Sequence, residues 1–238
     1  MKIALIGYGK MGKTIEEIAT QRGHEVVLKI DENNTDDFTK ENVSKADVAI
    51  EFTSPHSAYQ NVKKGLEFGI PIVCGSTGWL ENLPEIQKLC QSVKGAFLYA
   101  SNFSVGVNIF FEINKKLAAL MAAHTDYEIS ITEIHHTQKK DAPSGTAITL
   151  AEQIMDNNKR KKSWVNHISD NIDELEILSE RIDPKPGTHK VKYSSAIDDI
   201  EIIHTAHSRK GFALGAVLAA EYIHNKKGLF SMKEVLGL

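Results

Sequence analysis

The chain is 238 residues long, 42% hydrophobic and 25% charged, with a formal net charge of −3. That length suits one large domain or two modest ones with a real core, and the charge balance gives no global pull toward nucleic acid or a membrane surface. Two cysteines, Cys74 and Cys90, with no signal peptide and no long apolar run, argue against a disulfide framework and make the cytoplasm the expected location.

Met1 to Ile6 reads as a short apolar strand running into Gly7-Tyr8-Gly9-Lys10-Met11-Gly12, after which Ile15, Ile18 and Ala19 recur at helical spacing. In a strand–glycine turn–helix unit the first glycine makes the tight turn, the second lets backbone approach a pyrophosphate, and the third lets helix and strand pack closely. A second strand, Glu25 to Ile30, ends at Asp31, where such a unit places a carboxylate for the ribose hydroxyls. The expected cofactor is a nicotinamide dinucleotide. Asp31 is followed by Glu32 rather than by a cation, so a 2′-phosphate would meet two negative charges, which Lys10 offsets only in part. NADH is therefore expected to be preferred over NADPH.

The pattern repeats with a strand at Val48 to Phe52, a helix from Ser54-Pro55 to about Phe68, and strands at Ile70 to Cys74 and Phe97 to Ala100. This alternation predicts a parallel sheet of Rossmann type with covering helices, an α/β fold. Ligands of such sheets lie beyond the carboxyl ends of the strands. The loops Gly75-Ser76-Thr77-Gly78 and Ala100-Ser101-Asn102-Phe103 are thus candidates for the nicotinamide half of the cofactor, while Cys74 reads as a small buried residue. A long helix, Val105 to about Ala123, with Ile109, Ile113, Leu117 and Leu120 on one face, then carries the chain away.

Tyr127, Ile129 and Ile131 alternate with polar residues as in a half-buried strand ending near His136. Period two carries Glu133 and His135 along the apolar face and turns His136 the other way. Pro143 and Ser144 precede Ile148, Leu150, Ala151 and Ile154, an apolar helical face, so Gly145 and Thr146 fall in a first turn whose N–H groups suit a carboxylate or phosphate. Further alternating strands are expected at Leu175 to Arg181, Lys190 to Ser195 and Asp199 to Thr205. Together they suggest an antiparallel sheet in a second domain of α+β type. The basic run Asn157 to Lys162 reads as a solvated helix end rather than a nucleic-acid site.

Gly211 to Asn225 is a helix rich in small residues around Leu214, Leu218 and Tyr222, suited to close packing on the first sheet. The second domain is then an insertion. The expected division is 1–103 plus 210–238 for the dinucleotide and 104–209 for the substrate.

With both halves read, nearly the whole chain resembles the dihydrodipicolinate reductase (4-hydroxy-tetrahydrodipicolinate reductase) family of lysine and diaminopimelate biosynthesis. The resemblance rests on Glu133-Ile134-His135-His136, Lys139 and Asp141-Ala142-Pro143-Ser144-Gly145-Thr146. Gly75-Ser76-Thr77-Gly78, the run Asn102 to Asn108 and the ending Gly228-Leu229-Phe230 support it. It implies that His135 is the acid/base and Lys139 its cationic partner and proton donor, and that His136 contacts a cyclic imine bearing two carboxylates. Ser144, Gly145 and Thr146 would hold one of those carboxylates. Cofactor contacts would come from the glycine turn, Asp31, Gly75 to Thr77 and Ala100 to Phe103. The resemblance also implies a homotetramer built through the second domain's sheet. Two departures bear on cofactor grip: many relatives have one more residue in the glycine turn, and the common acid-plus-arginine pair is here Asp31-Glu32. A third, at Arg181 to Pro184, bears on the stretch Gly187 to His189.

Three other readings compete. His135-His136 and His204/His207 lie an odd number of positions apart on strands, so neither pair chelates in regular backbone, and no metal is expected. A dinucleotide-sensing regulator would have no use for His135, Lys139 and an anion-binding helix start together. A dehydrogenase acting on aspartate or homoserine would differ in the Asp141 to Thr146 segment.

Overall fold

The computed structural model describes residues 1–238, which divide by their internal contacts into Met1–Val105 with Arg209–Leu238, and Gly106–Ser208. In chain order the first unit contains β1 (Lys2–Ile6), α1 (Lys10–Gln21), β2 (Glu25–Ile30), α2 (Lys40–Val43), β3 (Val48–Glu51), α3 (Pro55–Phe68), β4 (Ile72–Cys74), α4 (Leu83–Ser92) and β5 (Ala96–Tyr99). The helix α5 (Val105–Met121) leads into β6 (Glu128–His135), α6 (Gly145–Asn157), β7 (Ser163–Val165), β8 (Glu174–Arg181), β9 (Gly187–Ser194) and β10 (Asp199–Ala206). The chain then returns to the first unit through α7 (Lys210–Ile223), β11 (Gly228–Phe230) and α8 (Met232–Leu236).

The first sheet is parallel, in the order β11-β5-β4-β3-β1-β2. It is buried on both faces because successive apolar residues of one strand serve different layers. Ile3 and Leu5 pack with α1 and α7, while Ala4 and Ile6 pack with Val62, Leu66 and Ile86 of α3 and α4. α7 fits because its buried residues are mostly small, among them Ala213, Gly215, Ala216, Ala219 and Ala220. A Cβ on Gly215 would stand 1.7 Å from the Phe103 carbonyl oxygen. No helix is long and apolar enough to cross a membrane.

The second sheet runs β10-β9-β6-β8-β7. It is mixed rather than antiparallel: β6 pairs antiparallel with β9 but parallel with β8, and β7 is parallel to β8. The crossover through α6 causes this, since a helix between two strands returns the chain in the original direction. One face carries Ile129, Ile131, Ile177, Val191 and Tyr193, closed over by Phe110 and Ala118 of α5 and Leu150 and Ile154 of α6.

Two further sequence expectations fail in this unit. The buried stripe of α5 is Val107, Phe110, Asn114, Ala118 and Met121, whereas Ile109, Ile113 and Leu120 are exposed. The helix is apolar on two sides, and Asn114 interrupts the true stripe. Its amide nitrogen donates inside to the Leu150 carbonyl and Gln153 Oε1 at 3.1 Å each, while its Oδ1 is buried without a partner. The basic run is not simply solvated either. Lys161 is buried, with Nζ 3.1 Å from Glu128 Oε2 and 2.9 Å from the Ile172 carbonyl, and Arg160 donates to the Tyr127 carbonyl.

Candidate active site

Pairing register gathers the second unit's polar groups at one end of its central strand. Glu133 of β6 stands beside His189 of β9 and Ser179 of β8, and His135 stands beside Arg181. Glu133 is fully buried, at 0% exposure. A carboxylate removed from water needs donors. Arg181 Nη2 donates to its Oε1 at 3.0 Å, the Ser144 backbone N–H donates to Oε2 at 3.0 Å, and His135 Nε2 lies 3.4 Å from Oε2. Burial alone would raise the Glu133 pKa, but hydrogen bonds from His135, Ser144, Ser179 and Arg181 outweigh it. They hold the carboxyl well below the usual carboxylate range, so it is ionised.

His135 Nδ1 lies 3.2 Å from the Pro186 carbonyl, which can only accept, so Nδ1 carries a proton. A second proton, on Nε2, would point at the Glu133 carboxylate. The ring can release that proton while its other nitrogen keeps its hydrogen bond. Gly187 makes the room, since a Cβ there would come within 2.9 Å of His135 Cε1.

His189 is also buried, with Nε2 3.0 Å from Ser144 Oγ and 3.4 Å from His135 Nε2. Burial first, and the charge of His135 second, push its pKa down to about 4, so its ring is neutral near pH 7.

The loop after β6 is tied down by the end of β8. Arg181 Nη2 donates to the Asp141 carbonyl at 2.6 Å and Nε to the Lys139 carbonyl at 3.3 Å, while Asp183 accepts from the Thr137 N–H and hydroxyl. Lys139 Nζ rests on both Asp141 carboxylate oxygens, at 2.8 and 2.7 Å. The Ala142–Pro143 peptide is cis. Ser144 caps α6 by accepting from the Ala147 N–H at 3.2 Å. It is buried and its hydroxyl is engaged, so it shapes the helix start. Gly145 is exposed, with open space where a Cβ would stand. His136 is half-buried on the opposite side of the strand, as the alternation requires, and its Nδ1 is buried without a partner.

In the first unit the glycine turn behaves as the spacing predicts. Gly7 has φ +100°, and a Cβ on it would lie 2.0 Å from the Phe52 carbonyl oxygen; one on Gly12 would lie 2.3 Å from the Gly7 carbonyl oxygen. Gly9 has nothing within 4 Å of that position, which leaves the start of α1 open to a close ligand. The turn borders a cavity of about 1160 Å³ whose lining includes Gly7, Tyr8, Gly9, Asp31, Glu32 and Thr53. A glycine cradle with a carboxylate at the end of β2 fits a dinucleotide. Lys10 is exposed, whereas Met11 and Gly12 turn to the core.

The other candidate loops divide. Thr77 and Ser101 are exposed, and Ala100 and Asn102 are half-buried. Phe103 is a core residue, and Gly75 is pressed on Phe52, whose ring a Cβ would meet at 2.2 Å. Ser76 is buried and donates to Glu51 Oε1 at 3.1 Å. Glu51 is fully buried and also accepts from Thr53 N at 3.1 Å, from the Thr53 hydroxyl and from Cys74 Sγ at 3.0 Å. Burial, and then the Glu51 charge, push the Cys74 thiol well up, so it is no nucleophile.

Known proteins match both halves. The family model for the N-terminus of dihydrodipicolinate reductase matches residues 1–103, and that for its C-terminus matches residues 106–236. The 4-hydroxy-tetrahydrodipicolinate reductase of Christiangramia forsetii is 51% identical over 99% of this chain and 98% of its own. The chain belongs to the dihydrodipicolinate reductase family. A further family member, the 4-hydroxy-tetrahydrodipicolinate reductase of Methanosarcina barkeri, is 38% identical over 97% of this chain and 83% of its own. The solved dipicolinate-bound dihydrodipicolinate reductase from Paenisporosarcina sp. TG-14 superposes with a TM-score of 0.78 at 23% identity, covering 98% of each chain. The family is one of dinucleotide-dependent oxidoreductases with a Rossmann-type first domain, in agreement with the sequence reading.

Three site residues escaped the sequence reading: Arg181, His189 and Glu51. For the first two a signal existed. Leu175 and Ile177 of β8, and Val191 and Tyr193 of β9, are buried. Period two extends those inner faces to Arg181 and His189, the same face that carries Glu133.

Proposed function

We propose that the chain reduces 4-hydroxy-tetrahydrodipicolinate to tetrahydrodipicolinate with NAD(P)H and loss of water, in lysine and diaminopimelate biosynthesis. The supporting observation is a proton donor with a relay of fixed partners, Pro186 carbonyl–His135–Glu133–Arg181, on the same short loop system as a lysine and an open helix start. The nicotinamide cofactor supplies the hydride when bound. Loss of the 4-hydroxyl as water leaves a conjugated cyclic imine. As hydride adds to the carbon that carried the hydroxyl, negative charge develops through the ring toward nitrogen, and His135 gives up its Nε2 proton there while Nδ1 stays on the Pro186 carbonyl. Lys139 neutralises the developing charge and exchanges the Asp141 carboxylate for one of the substrate's. Gly145 and Thr146 receive a substrate carboxylate at the start of α6, with Ser144 holding that turn in shape. His136, on the other side of β6, supplies a further substrate contact.

On the cofactor side, Gly7 to Gly12, Asp31, Gly75 to Thr77 and Ala100 to Phe103 form the grip, the buried members acting by holding backbone in place. The acidic pair Asp31-Glu32 favours NADH over NADPH. A homotetramer built through the second sheet, by family resemblance, and a cytoplasmic location, from the cysteine usage, complete the reading. The test is a coupled assay with the aldolase product of pyruvate and aspartate semialdehyde. Oxidation of reduced nucleotide is expected, with higher kcat/KM for NADH. No oxidation of either nucleotide overturns the activity, and a clear NADPH preference overturns the cofactor reading alone.

A further inference from the structure

Three ligand-type atoms from two strands meet at the end of β6. His135 Nε2 is 3.4 Å from Glu133 Oε2 and 3.4 Å from His189 Nε2, and His189 Nε2 is 3.8 Å from Glu133 Oε2. Atoms bound tetrahedrally to one zinc-type ion at about 2.0–2.1 Å stand about 3.3–3.4 Å from one another. The triangle is already close to that size, and all three residues are buried.

The surroundings are also those of a metal centre. The far nitrogen of His135 is held by a backbone carbonyl, the usual support of a metal-bound imidazole. The second carboxylate oxygen of Glu133 is fixed by Arg181, and Oε2, which accepts the Ser144 N–H at 3.0 Å, keeps its other lone pair for the space between the two rings. Ser144 Oγ, 3.0 Å from His189 Nε2, borders the same space. Two imidazoles and a carboxylate suit zinc or cobalt rather than magnesium or calcium.

We propose that Glu133, His135 and His189 bind one divalent zinc-type ion, which takes the place of the His135 Nε2 proton and so shuts off turnover. The binding stands on the geometry alone; the inhibition rests on His135 being the acid of the proposed reaction. No bond of the substrate is involved. The ion exchanges with a proton, and a chelator reverses the exchange.

The test titrates chelator-stripped full-length protein with Co²⁺, follows the visible absorption of tetrahedral cobalt, and then displaces it with Zn²⁺. One ion per chain is expected. His189→Gln should weaken binding by about a hundredfold or more, since even outer-shell changes cost up to that much. The exposed-site control His167→Gln should bind as the unmodified chain does. Absence of the tetrahedral band, or a band unchanged in His189→Gln, overturns the site. Should His189→Gln fail to fold, anomalous diffraction at the zinc edge from soaked crystals of the unmodified protein decides. A peak between the three atoms supports the site, and zinc found only elsewhere overturns it. Turnover read in the same titration separates the two claims: inhibition that follows filling supports both, whereas a filled site with full turnover overturns the inhibition and counts against His135 as the acid.

Discussion

Glu51 closes β3 and Glu133 lies near the end of β6, and both are carboxylates at 0% exposure. Glu51 is held by neutral donors: the Thr53 N–H and hydroxyl, the Ser76 hydroxyl and the Cys74 thiol. Glu133 is held by a guanidinium, an imidazole and one backbone N–H. The first arrangement ties two loops beside the glycine turn and places no cation against the carboxylate. The second gives the carboxylate a permanent cation, Arg181, and an imidazole as its partners. Burial is common to both; the partners decide whether the acid acts as a clamp or as a counter-ion.

Variants can break that contrast, beginning where the effect is greatest. His135→Ala and Lys139→Ala should each lower turnover by about a hundredfold or more while nucleotide affinity holds, as steady-state kinetics and fluorescence titration would record. Near-normal turnover in either variant removes that residue's role, and the double variant should fall far short of the product of the two losses if they act as one unit. Next, Glu133→Gln strands Arg181 and His135 without their anion. Unpairing a buried charge costs about 3–5 kcal/mol, and the lower end is expected because Arg181 is partly exposed. Urea unfolding measures the loss.

Glu51→Gln removes no counter-charge, so its cost should be about 1–3 kcal/mol from imperfectly satisfied donors. It should act on nucleotide affinity through the loosened Thr53 and Ser76 loops, leaving kcat at saturating cofactor in place. If the two glutamine variants unfold at the same urea concentration and damage the same kinetic parameter, the distinction between clamp and counter-ion is lost.

The smallest effect should come from a more exposed acid. Glu221 has its pKa lowered, first by the Arg22 guanidinium at 2.8 Å and then by His24. Its folded pKa lies below its unfolded one, so the pair's stabilisation is present above the ordinary carboxylate pKa and is lost as pH falls through the lower, folded value. Solvent screening of the partly exposed pair limits it to about 1 kcal/mol or less. The difference in thermal midpoint between Glu221→Gln and the parent chain should be small at pH 7 and vanish in strong acid.

How far the sequence carries the fold depends on the range of each interaction. The glycine turn, the first five strands of the first sheet and the capped helix at Ser144 are local patterns, and the structure has them within a residue or two, whereas the edge strand β11 has no such pattern. The direction of β8 depends on a crossover and was misread. The buried stripe of α5 was misread because apolar residues occupy two of its sides, and only the partner layer chooses between them. The same holds at the site. His135 and Lys139 lie in one short motif, whereas Arg181 and His189 reach it from 46 and 54 positions downstream of His135 through strand pairing. Glu51 has no alternation to betray it, since every residue of β3 is buried.

The return of α7 and β11 to the first sheet also sets an order of completion during translation. β11 is the edge strand beside β5, and α7 lies on α1 and on β3, β4 and β5, with Gly215 against Phe103. Ribosomes make residues 106–208 before either element exists. The second unit therefore has all its strands in hand while the first still lacks an edge strand and a covering helix. The unit that is begun first is thus the one finished last.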